Sequence, residues 1–136
     1  RRLGRRGTVR VGLTALVVRE YDEAIRFYVD AVGFDLVADD DLGGGKRWVV
    51  VAPPCGSGSG LLLAQAADDT QAAVIGGQAG GRVGHFLFTD DFDGQYARMV
   101  AAGVHFVESP RDETYGKVVV WQDLYGNRWD LLEEAR

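Results

Sequence analysis

The chain has few of the residues that staple or stiffen a fold: its 136 residues include one cysteine, three prolines and one methionine. The single thiol, Cys55, excludes an intramolecular disulfide framework, a zinc centre built on several thiolates, and CxxC redox chemistry. No apolar run approaches the roughly 20 residues that cross a bilayer, and no charged start leads into the apolar stretch of a secretion signal. A cytoplasmic protein without a membrane partner is therefore expected. Positive charge is also scarce, with 15 Lys and Arg against 20 Asp and Glu. Arg1, Arg2, Arg5, Arg6 and Arg10 crowd the first ten residues, so the rest of the chain holds ten basic residues against twenty acidic ones. An acidic body repels phosphate backbones, and no nucleic-acid partner is expected. Residues 1–8 read as a flexible basic tail.

What remains is an ordinary globular composition, 46% hydrophobic and 26% charged, at a length that suits one domain over residues 9–136. Val9 to Val18 alternates and is rich in β-branched residues, as a half-buried strand is. From Tyr21 the apolar residues Ala24, Phe27, Tyr28 and Val32 recur at helical spacing, with Asp22 and Glu23 in the first turn and Gly33 to stop it. Phe34–Ala38, Lys46–Ala52 and Gly60–Ala66 read as strands, and Asp39–Gly45 as a turn. The same order then returns after a Gly-rich linker, residues 67–82. Val83–Thr89 reads as a strand, Phe92–Ala102 as a helix ended by Gly103, and Val104–Glu108, Gly116–Gln122 and Arg128–Glu133 as strands. The copies align as Val11-Gly12-Leu13 with Val83-Gly84-His85 and Gly33-Phe34 with Gly103-Val104. The chain thus reads as two βαβββ modules, residues 9–66 and 83–134.

The stretch Val17-Val18-Arg19-Glu20-Tyr21-Asp22-Glu23-Ala24-Ile25-Arg26-Phe27-Tyr28, with Val32-Gly33-Phe34, Ala101 to Phe106, Tyr115-Gly116 and Asp123-Leu124-Tyr125-Gly126-Asn127, resembles the vicinal oxygen chelate superfamily. That group includes glyoxalase I, bleomycin-resistance proteins and extradiol dioxygenases. The resemblance implies an α+β fold in which two βαβββ modules form a curved mixed sheet around a cavity, and a homodimer. The sequence leaves open whether the chain is an enzyme. If it is one, the resemblance implies a glyoxalase-like lyase or a ring-cleaving dioxygenase.

Chelating members of that superfamily hold a divalent metal with four side chains, one on the first and one on the last strand of each module. Here those positions fall on Leu13, on Leu62 or Leu63, on Gly84 or His85, and on Asp130. Leucine and glycine side chains cannot coordinate, so no metal is expected; the alternative is a site for Zn, Ni, Mn or Fe using His85, Asp130 and a displaced Gln65. A third reading makes Asp130 a general base in a metal-free enzyme, with Glu133 on the opposite face of the same strand, or else pairs Asp130 with Arg128. Cys55, Ser57, Ser59 and Ser109 lack the context of a catalytic nucleophile.

The remaining signal is aromatic. Phe86 and Phe88 share one face of a strand, as Tyr115 and Trp121 share another by period two, and Trp48 and Trp129 add to the stock. Aromatic walls suit flat, apolar or cationic ligands. The expected function is metal-independent binding of a small aromatic or cationic organic molecule, with Trp48, Phe86, Phe88, Tyr115, Trp121 and Arg128 as ligand contacts. A divalent-metal lyase, isomerase or dioxygenase is the alternative.

Overall fold

A computed structural model describes residues 7–54 and 58–136. Most of the basic tail (residues 1–6), together with Cys55 and Ser57, lies outside the described residues. The first module runs β1 (Leu13–Val18), α1 (Tyr21–Arg26), a π-helical continuation (Phe27–Val32), β2 (Asp35–Gly43), β3 (Lys46–Ala52) and β4 (Gly60–Gln65). A short helix α2 (Asp69–Ala72) lies in the connection. The second module follows with β5 (Val83–Phe88), α3 (Phe92–Ala101), β6 (His105–Phe106), β7 (Arg111–Glu113), β8 (Gly116–Gln122) and β9 (Arg128–Glu134). The architecture is α+β, and each module builds its own open mixed sheet. Sheet one has the order β1-β4-β3-β2 and sheet two β5-β9-β8-β6, with β7 also pairing β8. In each sheet the first and last strands of the module, β1 with β4 and β5 with β9, run parallel.

Local chemistry explains the boundaries. Glu20 and Asp91 cap α1 and α3 by accepting the N–H groups of Glu23 and Gly94. Gly33, at φ 96°, ends the first helix in the left-handed conformation that glycine adopts without steric penalty. The helical spacing read from the sequence changes register at Phe27, where π-helical hydrogen bonding begins. That wider turn sets Phe27 and Tyr28 edge to face, with ring centroids 5.1 Å apart. The first strand starts at Leu13 and not Val9. The expected turn at Asp39–Gly45 is strand as far as Gly43, because Arg47 on β3 pairs with Asp39 across the ladder at 2.8 Å. The expected strand Val104–Glu108 shrinks to two residues. There the Glu108 carboxylate accepts the Val120 N–H at 3.0 Å, in place of a backbone carbonyl.

One face of each sheet turns toward a shared helical layer. Leu16, Val18, Leu61, Leu63, Val49 and Val51 from sheet one, and Leu87, Trp129, Leu131, Val119 and Trp121 from sheet two, form one core with Tyr21, Ala24, Tyr28, Phe92 and Met99. Fully burying a side chain of this size contributes about 1.5–3 kcal/mol. The modules are joined through polar contacts as well. The Gln95 amide donates to the Val32 carbonyl at 2.8 Å, and the buried Tyr28 hydroxyl donates to Asp123 at 2.6 Å. Asp123 also accepts the N–H groups of Tyr125 and Asn127 and the Asn127 amide, all at 2.9 Å, so the buried carboxylate is fully satisfied. Burial, reinforced by Asp123, pushes the Tyr28 hydroxyl pKa well above its ordinary value, so it stays a donor.

The outer edge of β1 is covered by a side chain. Gln78, from the inter-module connection, accepts the Val17 N–H at 2.9 Å and donates to the Ala15 carbonyl at 2.8 Å, standing in for a neighbouring strand.

Because Tyr28 supplies one of the donors to a buried carboxylate, Tyr28→Phe is expected to cost about 1.5–3 kcal/mol of unfolding free energy in urea denaturation. Tyr125→Phe, whose hydroxyl bonds the surface-side Glu23 at 2.7 Å, is expected to cost less.

Candidate functional site

The pleat fixes what each sheet offers on its other face. In sheet two, Phe86 pairs with Asp130 and Asp130 with Val120, while Phe88 pairs with Leu132 and Leu132 with Val118. These two rows alternate with the core residues Leu87, Leu131 and Val119, so they lie on the open face. Phe86 and Phe88 are 57% and 56% exposed, which is unusual for adjacent same-face aromatic side chains. Arg128 lies two residues before Asp130 on the same face of β9, also exposed. Tyr115, 51% exposed, stands at the turn between β7 and β8.

Trp121 is not part of this face. It is fully buried on the helix side, stacked on Trp129 with ring centroids 5.0 Å apart. Its parity on β8 places it with Val119 and against the π-helical segment, and Phe27 packs beside it at 6.3 Å. Trp48 belongs to the open face of sheet one. It is opposite in pleat to core Val49, 41% exposed, and borders a cavity of about 810 Å³ with Leu42, Lys46, Leu62, Ala64 and Gln71. The structure therefore brings together Phe86, Phe88, Asp130 and Arg128, with Tyr115 at the same end of sheet two as Arg111 and Glu113. It puts Trp48 on a separate sheet.

The polar part of the face is built around Asp130. Its Oδ1 is buried and accepts no hydrogen bond among the described residues. Burial raises its pKa, the neighbouring Arg111 opposes the rise and Glu108 adds to it. Arg111 is held in place: its Nε contacts both Glu108 oxygens at 3.2 Å and its Nη1 pairs with Glu113. Glu108 and Arg111 were not legible as site residues. They lie around the Ser109-Pro110 break, where no periodicity announces a face, and their role follows from Glu108 filling the ladder gap between β6 and β7.

The candidate metal donors are dispersed. His85 pairs with Trp129 across the β5–β9 ladder, and its ring stacks on the Trp129 ring with centroids 4.6 Å apart. That places it on the helix side, where burial lowers its pKa against the opposing charge of Asp123. Its sequence neighbour Phe86 pairs with Asp130, so His85 and Asp130 are on opposite faces. Gln65 pairs with Val18 at the end of β4, on the helix-side parity of sheet one. Among the described residues no group of three or more His, Cys, Asp or Glu side chains is placed to hold a metal ion. Glu133, opposite in parity to Asp130, accepts the Phe92 N–H at 2.8 Å and caps α3.

A family model described as the glyoxalase/bleomycin resistance protein/dioxygenase superfamily matches residues 10–131. The chain belongs to this superfamily. A Shewanella frigidimarina protein is 54% identical over 120 residues, covering 88% of this chain and 89% of its own length. Among solved structures, TnmS3, an antibiotic binding protein from Streptomyces sp. CB03234, is 30% identical with a TM-score of 0.76, over 96% of this chain and 100% of its own. A glyoxalase/bleomycin resistance protein from the same Streptomyces is 32% identical with a TM-score of 0.69, over 89% and 97% of the two chains. Of the four positions that chelating members of the superfamily use, Leu13 and Leu62 carry no donor. His85 lies half-buried on the helix-side parity, stacked on Trp129, and Asp130 alone presents an oxygen donor on an open face. These residues do not fit a chelated metal. No helix of the described residues is long and apolar enough to cross a membrane.

The raised pKa of Asp130 has a measurable consequence for stability. The folded chain holds this proton more tightly than the unfolded one, so unfolding free energy falls as pH rises from the ordinary Asp value of about 3.9 to the higher folded value. Asp130→Asn removes that dependence. Its melting temperature is expected to exceed that of the parent at pH 7, and the two to converge toward pH 3, in paired thermal melts.

Proposed function

We propose that the protein binds a small, flat organic molecule without a protein-held metal, on the open face of sheet two. The observation that carries this reading is the exposed pair Phe86 and Phe88 beside a desolvated carboxylate, on a sheet whose other face is fully packed. Ring faces of this kind hold planar apolar or cationic molecules by stacking and by the negative potential above the ring. The excess of carboxylates over the body of the chain adds attraction for cations. The likeness to TnmS3, an antibiotic binding protein, supports small-molecule binding. A metal-dependent lyase, isomerase or dioxygenase is disfavoured by the opposite orientations of His85 and Asp130.

An exposed aromatic face is half of a binding site. We place the other half on a second copy of the chain, whose open face on sheet one, with Trp48 and Leu62, would close over the first. The protein then works as a homodimer, sequestering its ligand and performing no chemistry on it.

Calorimetric titration with 9-aminoacridine, a flat cation, tests this. Saturable binding is expected, weakened about two- to tenfold by Phe86→Ala and by Phe88→Ala, with sedimentation equilibrium giving a dimer. Binding that is indifferent to both substitutions, or that needs added Zn, Ni, Mn or Fe(II), would overturn the reading.

A further inference from the structure

The Asp130 carboxylate has no ion pair among the described residues, and the charge of Arg111 offsets its burial only in part. Its Oδ1 is buried without a donor among the described residues, and the part of the half-buried residue that stays exposed is where a ligand donor can reach the carboxylate. The nearby cation compensates it only in part. Arg111 spends its Nε on Glu108 and its Nη1 on Glu113, and Glu108 in turn is fixed by the Val120 N–H at 3.0 Å. Arg128 is exposed, and the described ion pairs do not include one between it and Asp130. On this face Glu108, Glu113, Asp130 and Glu134 outnumber Arg111 and Arg128. A carboxylate in such a setting is costly until a donor arrives, and a charged donor repays most.

Its position in the pleat completes the argument. Asp130 lies directly between Phe86 and Val120 in one row, with Phe88 and Leu132 in the next row of the same face. A ring resting on Phe86 and Phe88 therefore has the carboxylate beside it in the same row as Phe86.

We infer that Asp130 anchors a protonated amine borne by the aromatic ligand, so that the protein selects aryl amines over neutral molecules of the same shape. The inference rests on the binding reading above and adds the charged group to it. Asp130 then acts as a counter-ion on the ligand, and the Arg111–Glu108 pair holds the surrounding charges fixed.

The test uses two fragments of one shape, benzylammonium chloride and benzyl alcohol, titrated into the full chain and followed by amide chemical shifts. Both are expected to perturb residues 86–88 and 128–132, with benzylammonium bound at least about tenfold more tightly. Asp130→Asn is expected to erase that preference while leaving the alcohol's affinity in place. Asp130→Glu should retain part of it, and Phe86→Ala should weaken both fragments while preserving their ratio. Equal affinities in the parent protein, or a preference that survives Asp130→Asn in a folded variant, overturn the anchor and leave the binding reading standing. Shifts absent from this face with both fragments overturn the anchor and the binding reading together.

Discussion

The hydrogen bond from Tyr28 to Asp123 is the contact on which the arrangement of the molecule depends. It joins the helix of the first module to the β8–β9 turn of the second, and it does so inside the core, where an unpaired carboxylate would be expensive. Three further donors from Tyr125 and Asn127 make Asp123 a closed unit. With that contact made, the Tyr28 ring lies 5.9 Å from Trp129, and Trp129 stacks between His85 and Trp121. Both sheets are thereby committed to packing their helix-side faces into one core. The opposite faces are only partly covered: Val118, Val120 and Leu132 are buried there, while Phe86, Phe88 and Trp48 stay exposed.

This commitment sorts the polar groups into two kinds. Asp123, Glu133 and Glu108 each satisfy backbone or side-chain donors and serve the fold. Asp130 has a desolvated oxygen that accepts no hydrogen bond among the described residues, a cost from which the fold gains nothing. The Gln78 bridge along β1 shows the same economy on the edge. One amide satisfies two strand groups that would otherwise invite pairing with another chain.

Much of the fold was legible because its signals are local. The duplicated order of strand and helix, the acidic first turn at Asp22 and Glu23, and the glycines at 33 and 103 all follow from periodicity and backbone preference. The departures have physical causes that act across strands or between modules. Arg47 extends β2 through Asp39 by an ion pair from the neighbouring strand. Glu108 interrupts the strand after Phe106 by taking a ladder N–H with its side chain. The π-helical segment at Phe27 answers to the ring packing between modules, which helical spacing does not encode.

For the site, the sequence by itself determined the inventory and the spacing: Phe86 and Phe88 two apart on one strand, Asp130 on the last strand, leucines where chelating superfamily members carry donors, and too few other donors to replace them. It did not decide which way each strand faces. A shift of one residue in the pleat exchanges the two faces completely, and that parity is set by which side finds apolar partners in the core. The tertiary structure buried Trp121 and turned the half-buried His85 to the helix side, and it left Phe86, Phe88 and Asp130 on the open side. The packing of Tyr28 against Trp129 therefore decided which of the candidate residues lie on the open face.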